Sequence, residues 1–503
     1  MRTRRALVIL ALGVLASSAQ GAELFRRGDF AVDFSGSIRG IGLATRGTSL
    51  EDFEEAARES LVEPDPLAIA ILSDPEALDF LEKFAPGLLR DLTESIVDPV
   101  CLLAEFFEDC PAFDEIGRTG VWQSLTRLRM RLDFQFSQSL SARLEYDNEL
   151  LMGKLDTLEF RGFDTENVDP FLPLQDELWN FDLGGDARGV WRHGLYRAWL
   201  NWETEHFQVI LGRQRIPWGV GRLWNPIDRF NPISPLAIEQ NQSQGVDSVV
   251  ATWFASEAAA LDWVYAPGDN GDHPDYALRL HGLVADTDYS LMAGVFDDAN
   301  TLGATLERNL GDMAIHLEAV YADPDALYWP VGSSRPRDLP SYWQVVVSLD
   351  TNIDLGKGIY ALVEYLYNGN ALGLGSGRAG SLLSFYESTL TPPAELPPAL
   401  GAIFPGPYVQ PISSDRFGGS RVVSFSRHQT GVMLSYELTP TLQGDLLVIY
   451  DWDGHSSAIA PQLSYTPRDD LEVGLGLQFF TGSRDSQYGQ AQNLAFLTVE
   501  YFF

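Results

Sequence analysis

Lysine is almost missing from this chain. Lys83, Lys154 and Lys357 are the only three in 503 residues, and acidic residues outnumber basic ones 70 to 35. A net charge of −35 argues against nucleic acid as a partner. No apolar run approaches the roughly 18 residues of a transmembrane helix. The patterns HExxH, GxSxG, CxxCH and the Walker glycine loop are all absent. Those absences remove the common metalloprotease, hydrolase, c-type haem and nucleotide-binding chemistries. The seven histidines (193, 206, 273, 281, 316, 428 and 455) are scattered and make no HxxxH pair. No cofactor, no metal and no enzymatic activity are expected. Oxygen ligands gather in "DNGDHPD" (269–275) and "DWDGH" (451–455), but neither has the spacing of an EF-hand, and both read as acidic turns.

What is present begins with an export signal. "MRTRRALVILALGVLASSAQGAELF" sets three arginines before a short apolar run and small residues near Gly21, the order of a signal peptide over residues 1–21. Its removal leaves the remainder, 22–503, three units more acidic. Export places Cys101 and Cys110 in an oxidising compartment, and their closeness in "CLLAEFFEDC" predicts a local disulfide.

From residue 121 onward the sequence alternates with period two. In "TRLRMRLDFQF", Arg127, Arg129, Arg131, Asp133 and Gln135 share one face, and Leu128, Met130, Leu132, Phe134 and Phe136 the other. "SARLEYDNE" and "LEVGLGLQF" repeat the pattern. Eighteen strand candidates emerge, the first over 29–46 and the last over 493–503. Links after even-numbered candidates are tiny, and links after odd-numbered ones are mostly long. That asymmetry predicts an all-β fold: a transmembrane antiparallel up-and-down β-barrel of about 18 strands, with periplasmic termini. Two short links on the long-loop side, near 298–299 and 451–456, keep sixteen strands as the alternative count. Apolar faces are expected to meet lipid, and polar faces to line a lumen wide enough for water.

One segment departs from the alternation. Residues 47–120 read as short helices inserted within the barrel, as a cap or plug, with a periplasmic domain as the alternative. Residues 368–427 read as a long outer loop.

Candidate pore-lining or substrate-binding residues follow from the polar faces. Arg127, Arg129 and Arg131 stack on one strand, and Arg143, Glu145, Asp147 and Glu149 on the next. Arg192 or Arg197 follows, depending on register. The stretch "GRQRIPWGVGRLWNPIDRFNPISP" (212–235) is basic and proline-rich, and forms the third long outer loop. Its arginines, Arg213, Arg215, Arg222 and Arg229, either face a solute or pin the loop to neighbouring carboxylates.

Two resemblances support this plan. "NLAFLTVEYFF", ending at Phe503, resembles the C-terminal aromatic signature of bacterial outer-membrane barrels, which implies recognition by the barrel-assembly machinery. "LGRQRIPWGVGRLWN…D…GVD" (211–247) resembles the strand–loop pattern of Gram-negative porin-like families, among them the alginate-export type, whose barrels have eighteen strands and an arginine-lined lumen. The resemblance implies pore-lining roles for Arg213, Arg215 and Arg222. The expected function is a porin-like channel passing small polar or anionic solutes passively. The alternatives are a barrel sheath around a partner such as a periplasmic cytochrome in an electron conduit, and a polysaccharide export pore. The expected setting is the outer membrane of a Gram-negative bacterium, among lipid and lipopolysaccharide, with homo-oligomers compatible and no nucleic acid partner.

Overall fold

The computed structural model describes residues 22–47, 119–153, 176–184, 187–231, 234–239, 245–267, 274–296, 298–324, 327–330, 337–338, 340–371, 388–389, 426–483, 486–489 and 491–503. Eighteen of its strands close into one antiparallel ring. They are β1 (Phe30–Gly47), β2 (Thr119–Ser137), β3 (Leu140–Gly153), β4 (Ala187–Glu203), β5 (Phe207–Gln214), β6 (Val246–Ser256), β7 (Ala259–Ala266), β8 (Asp275–Val284) and β9 (Thr287–Phe296). The ring continues with β10 (Ala299–Leu310), β11 (Met313–Pro324), β12 (Tyr342–Ile353), β13 (Ile359–Asn368), β14 (His428–Thr439), β15 (Leu442–Asp451), β16 (Ser456–Arg468), β17 (Leu471–Thr481) and β18 (Leu494–Phe502). Each strand pairs with its sequence neighbours, and β1 closes on β18 with Arg39 opposite Glu500. Closure leaves no unpaired edge in lipid.

All the expected strand candidates are therefore present, and eighteen is the count. The two short outer links are true hairpins, because Asp298 (φ +61°) and His455 (φ +51°) take the left-handed conformation that a tight reversal needs. The carboxylate of Asp451 also accepts the Asp453 and Gly454 amides, at 3.0 and 3.1 Å. This acidic turn serves its own backbone.

Five strands were not foreseen, three of them short: Leu327–Pro330 pairs with Arg337–Asp338 and Ser388–Thr389 in a small separate sheet. Ala22–Arg27 folds back on Phe30–Phe34 and extends the edge of β1 beyond the end of β18. Asp176–Gly184 pairs with the upper part of β4, on the edge that β5 occupies lower down, and so carries the wall on where β5 leaves it. The predicted helices of 47–120 fall outside the described residues, apart from strand ends at Gly47 and Thr119–Gly120, and the described residues contain no helix. The signal peptide and the Cys101–Cys110 pair also lie outside them.

The exterior is an apolar belt set by parity. Leu144, Leu200, Leu211, Trp253, Leu278, Leu291, Leu302, Trp343, Leu475 and Leu497 are all largely exposed, as lipid-facing side chains are in an isolated barrel. Phe503 shares this outer parity yet is buried. Its amide donates to the Gly36 carbonyl at 2.9 Å, and the Gly36 amide donates back at 2.8 Å. The ring lies over Gly36, where a Cβ would come within 2.7 Å of it. Glycine is needed there for a close approach that seals the seam.

The interior corrects one expectation. In β11 to β15 the inward face is not uniformly polar: Val320, Val346, Leu362, Leu366, Leu447 and Ile449 point inward and are buried. Something apolar covers them inside the barrel.

Candidate functional site: the inner loop and the arginine wall

The cover is the segment 215–239. Its side chains make two apolar clusters against the inner wall. Ile216, Trp218, Ile227 and Phe230 pack on Val264, Ala277, Met292, Phe296 and Val320. Leu223 and Trp224 pack on Val346, Leu362, Leu366, Leu447 and Ile449, with Leu236 beside them. Trp218 meets Phe230 edge-on at 5.4 Å, and Phe230 meets Phe296 at 5.2 Å. An apolar wall and an apolar loop face thus exclude water from each other.

A proline-rich loop cannot pair as a strand, so its amides need other acceptors. Within the loop, Asn231 Oδ1 accepts Ile216 N at 2.6 Å, Asp228 Oδ1 accepts Asn231 N at 2.7 Å, and Asn225 Nδ2 donates to the Trp218 carbonyl at 2.8 Å. Gly219 turns the chain with φ of +94°. Two wall carboxylates take most of the remaining amides. Glu318 of β11 accepts Val220 N, Gly221 N at 2.6 Å and Ile227 N at 3.3 Å. Glu364 of β13 accepts Arg222, Leu223 and Trp224 N at 2.8, 2.9 and 2.7 Å, and also Ser348 Oγ.

Beyond Leu236, whose carbonyl accepts Gln478 Nε2 at 2.8 Å, the loop reaches the opposite wall. There Arg127 donates through both Nη atoms to Glu239, at 2.7 and 3.0 Å. Arg39 Nε lies 3.2 Å from the same carboxylate. Burial would raise the pKa of the Glu239 carboxyl, but the charge and hydrogen bonds of Arg127, with Arg39 and Arg129 behind them, outweigh it and hold the group below the usual carboxylate range.

The wall behind that contact is a charge ladder. Arg127 Nε donates to Glu149 at 2.6 Å, Arg129 grips Asp147 at 2.7 and 2.6 Å, and Arg192 Nε reaches Glu149 at 2.9 Å. A bulge between the Glu145–Arg197 and Tyr146–Leu195 pairs puts both Arg192 and Arg197 on the inner face, so the two sequence registers are both realised. The Tyr196 ring lies 3.4 Å from the Arg129 guanidinium and 4.2 Å from that of Arg197. Lower down, Arg131 and Arg143 share Asp133 at 2.5 and 2.6 Å, and Arg143 Nη1 lies 3.6 Å from Glu145.

No protein-family model and no curated protein matches the chain. Three solved structures show its architectural likenesses. Acinetobacter baumannii OccAB1 aligns over 97% of this chain and 99% of its own, at 6% identity and a TM-score of 0.47. OccAB4 of the same organism aligns over 97% and 100%, at 10% identity and 0.43. Pseudomonas aeruginosa OccK5 (OpdH) aligns over 94% and 98%, at 8% identity and 0.43. At those scores the likenesses bear on neither the solute nor any residue, and they give the alginate-export resemblance no support. The closed ring and its apolar belt decide the class. This is an outer-membrane β-barrel of porin-like plan. Its turns are short at one end and its links mostly long at the other, the asymmetry general to outer-membrane barrels.

The barrel brings Arg127, Arg129, Arg131, Arg143, Glu145 and Asp147 together on the inner face of β2 and β3, as their alternation implied. The loop arginines divide. Arg213 sits where β5 ends, buried and gripping Asp247 at 3.0 and 2.6 Å, with the parity of lipid-facing Leu211. Arg229 is fully buried. Arg215 is exposed, and the Arg222 side chain is 47% exposed, with Nη2 3.9 Å from Glu307. The anchors Arg39, Glu239, Glu318 and Glu364 were missed. A usable signal existed: "LVEYL" sets Glu364 between Leu362 and Leu366 on one face, a lone acid in an otherwise apolar row.

Proposed function

We propose that the barrel is a passive channel for small polar solutes, anions among them, and that the loop 215–239 sets its cross-section. The observation that carries this reading is the loop's seating inside the lumen, packed on the wall from β7 to β17 and joined to β1 and β2 through Glu239. A barrel of 18 strands leaves an aqueous interior unless something fills it, and here a covalently fixed element narrows it. The ladder of β2 to β4 supplies hydrogen-bond donors and acceptors along one side. Anion passage rests on Arg131, Arg143, Arg215 and Arg222, which keep solvent-accessible guanidinium surface. A sheath around a partner protein is disfavoured, because the loop takes lumen space that such a partner would need.

Liposome swelling with purified protein tests the proposal. Small sugars and monocarboxylates are expected to enter, at rates falling steeply with solute size. Proteoliposomes that swell no faster than protein-free vesicles for any small solute would overturn it.

A further inference from the structure

The far end of the loop is bound as a ligand would be. Glu239 offers two carboxylate oxygens to two Nη atoms of one guanidinium, the parallel geometry by which arginine recognises free carboxylates. Arg39 Nε makes an ion-pair contact with the same carboxylate at 3.2 Å without a hydrogen bond, while its Nη1 donates to Glu500 at 2.7 Å. Among the described residues, the buried group holds Arg39, Arg127, Arg129 and Arg192 against Asp147, Glu149, Glu500 and Glu239. These cations all belong to the wall, whereas Glu239 comes from the loop.

We propose that the Arg39–Arg127 pair is a carboxylate-binding site of the lumen, held in the resting barrel by the loop's own Glu239 and taken over by a solute carboxylate that displaces it. This deepens the channel reading by naming the solute group and a place where it stops. Exchanging one carboxylate for another leaves no buried cation unpaired, so displacement avoids the large penalty of breaking the pair outright. The approach that the exposure of the wall arginines suggests runs along β2. Arg127, Arg129 and Arg131 stand at alternate residues, roughly 7 Å apart, and side-chain exposure rises along them from 2% to 13% to 38%. Arg143 broadens the open end, sharing Asp133 with Arg131. A carboxylate entering from the short-turn side meets exposed guanidinium first and the occupied site last. Displacing Glu239 frees the loop end at 234–239, so solute binding and loop seating oppose each other.

The test uses the full-length barrel and acetate as the probe. Glu239→Ala is expected to lower the unfolding temperature, and acetate is expected to restore it saturably while equimolar chloride does not. No loss of stability, no recovery with acetate, or equal recovery with chloride would each overturn the proposal. These readouts need no current, so their failure would leave the channel function itself standing. If Glu239→Ala does not assemble, Glu239→Gln keeps the shape of the side chain and supplies a second readout. Acetate is expected to interrupt its single-channel current at concentrations at least about tenfold lower than in the parent. Equal sensitivity of the two proteins would refute the idea.

Discussion

Replacing Glu364 is expected to unseat the inner loop while leaving the barrel wall closed. Three consecutive loop amides, from Arg222 to Trp224, donate to this one carboxylate inside an apolar enclosure. Glu364→Ala strips all three of their acceptor, at about 1–3 kcal/mol for each buried orphan, or roughly 3–6 kcal/mol together if two or three remain dry. Glu364→Gln is milder. Its carbonyl can still serve Leu223 and Trp224, which share Oε1, but its amide then faces the Arg222 N–H, donor against donor. A loss of about 2 kcal/mol is expected, or roughly thirty-fold more frequent opening of the loop. Hydrogen exchange read on peptides covering 215–239 measures this directly. Strands β3 and β4, across the ring from Glu364, serve as the internal control. Loop amides that exchange at parental rates in both variants would refute the anchoring role, whatever the variants do to conductance.

Four further outcomes follow from the same geometry. Arg215→Ala combined with Arg222→Ala is expected to move the reversal potential in a salt gradient towards cation preference. Arg213→Ala, which breaks a buried grip on Asp247, is expected to lower stability without moving that potential. Gly36→Val places carbon where the Phe503 ring now sits, at a cost of about 1–3 kcal/mol; the fraction of heat-modifiable, folded protein on a gel is expected to fall. The Glu239 contact has a depressed carboxyl pKa, so its contribution is complete above the ordinary carboxylate value of about 4.3 and is lost as pH falls through the lower value of the seated loop. Protease access to 234–245 is thus expected to stay flat from pH 7 to about 4.5 and to rise only in stronger acid.

The wall was legible because barrel strands carry their environment in period two. Residues such as Leu128, Met130 and Leu132 alternate with Arg127, Arg129 and Arg131, and the pairing of β2 with β3 places each where its parity says. Strand number hung on two links whose reversals depend on single residues, Asp298 and His455, and left-handed conformation in a non-glycine residue leaves little trace in sequence. The loop was legible as an anomaly of charge but not as a lining. Its arginines drew the eye, yet its apolar residues bind it, Arg213 is consumed in gripping Asp247, and Arg229 is fully buried. Glu318 and Glu364 stayed hidden because an inward carboxylate in a porin-like barrel looks like lumen surface. Only the path of a segment 91 to 142 residues away in sequence turns it into an acceptor for backbone amides. Arg192 and Arg197 could not be ranked before the bulge in β4 was seen, since one extra residue reverses the parity on which the choice rested.

The central claim is that a loop seated inside an 18-strand barrel sets the aqueous passage. Unitary conductance in planar bilayers, compared between the parent and a variant with 217–243 replaced by a short glycine–serine turn, tests it most directly. The account predicts a stable open level for the parent and a clearly larger one for the shortened barrel. Equal levels would remove the loop from the passage, and silence from both proteins would contradict the channel itself.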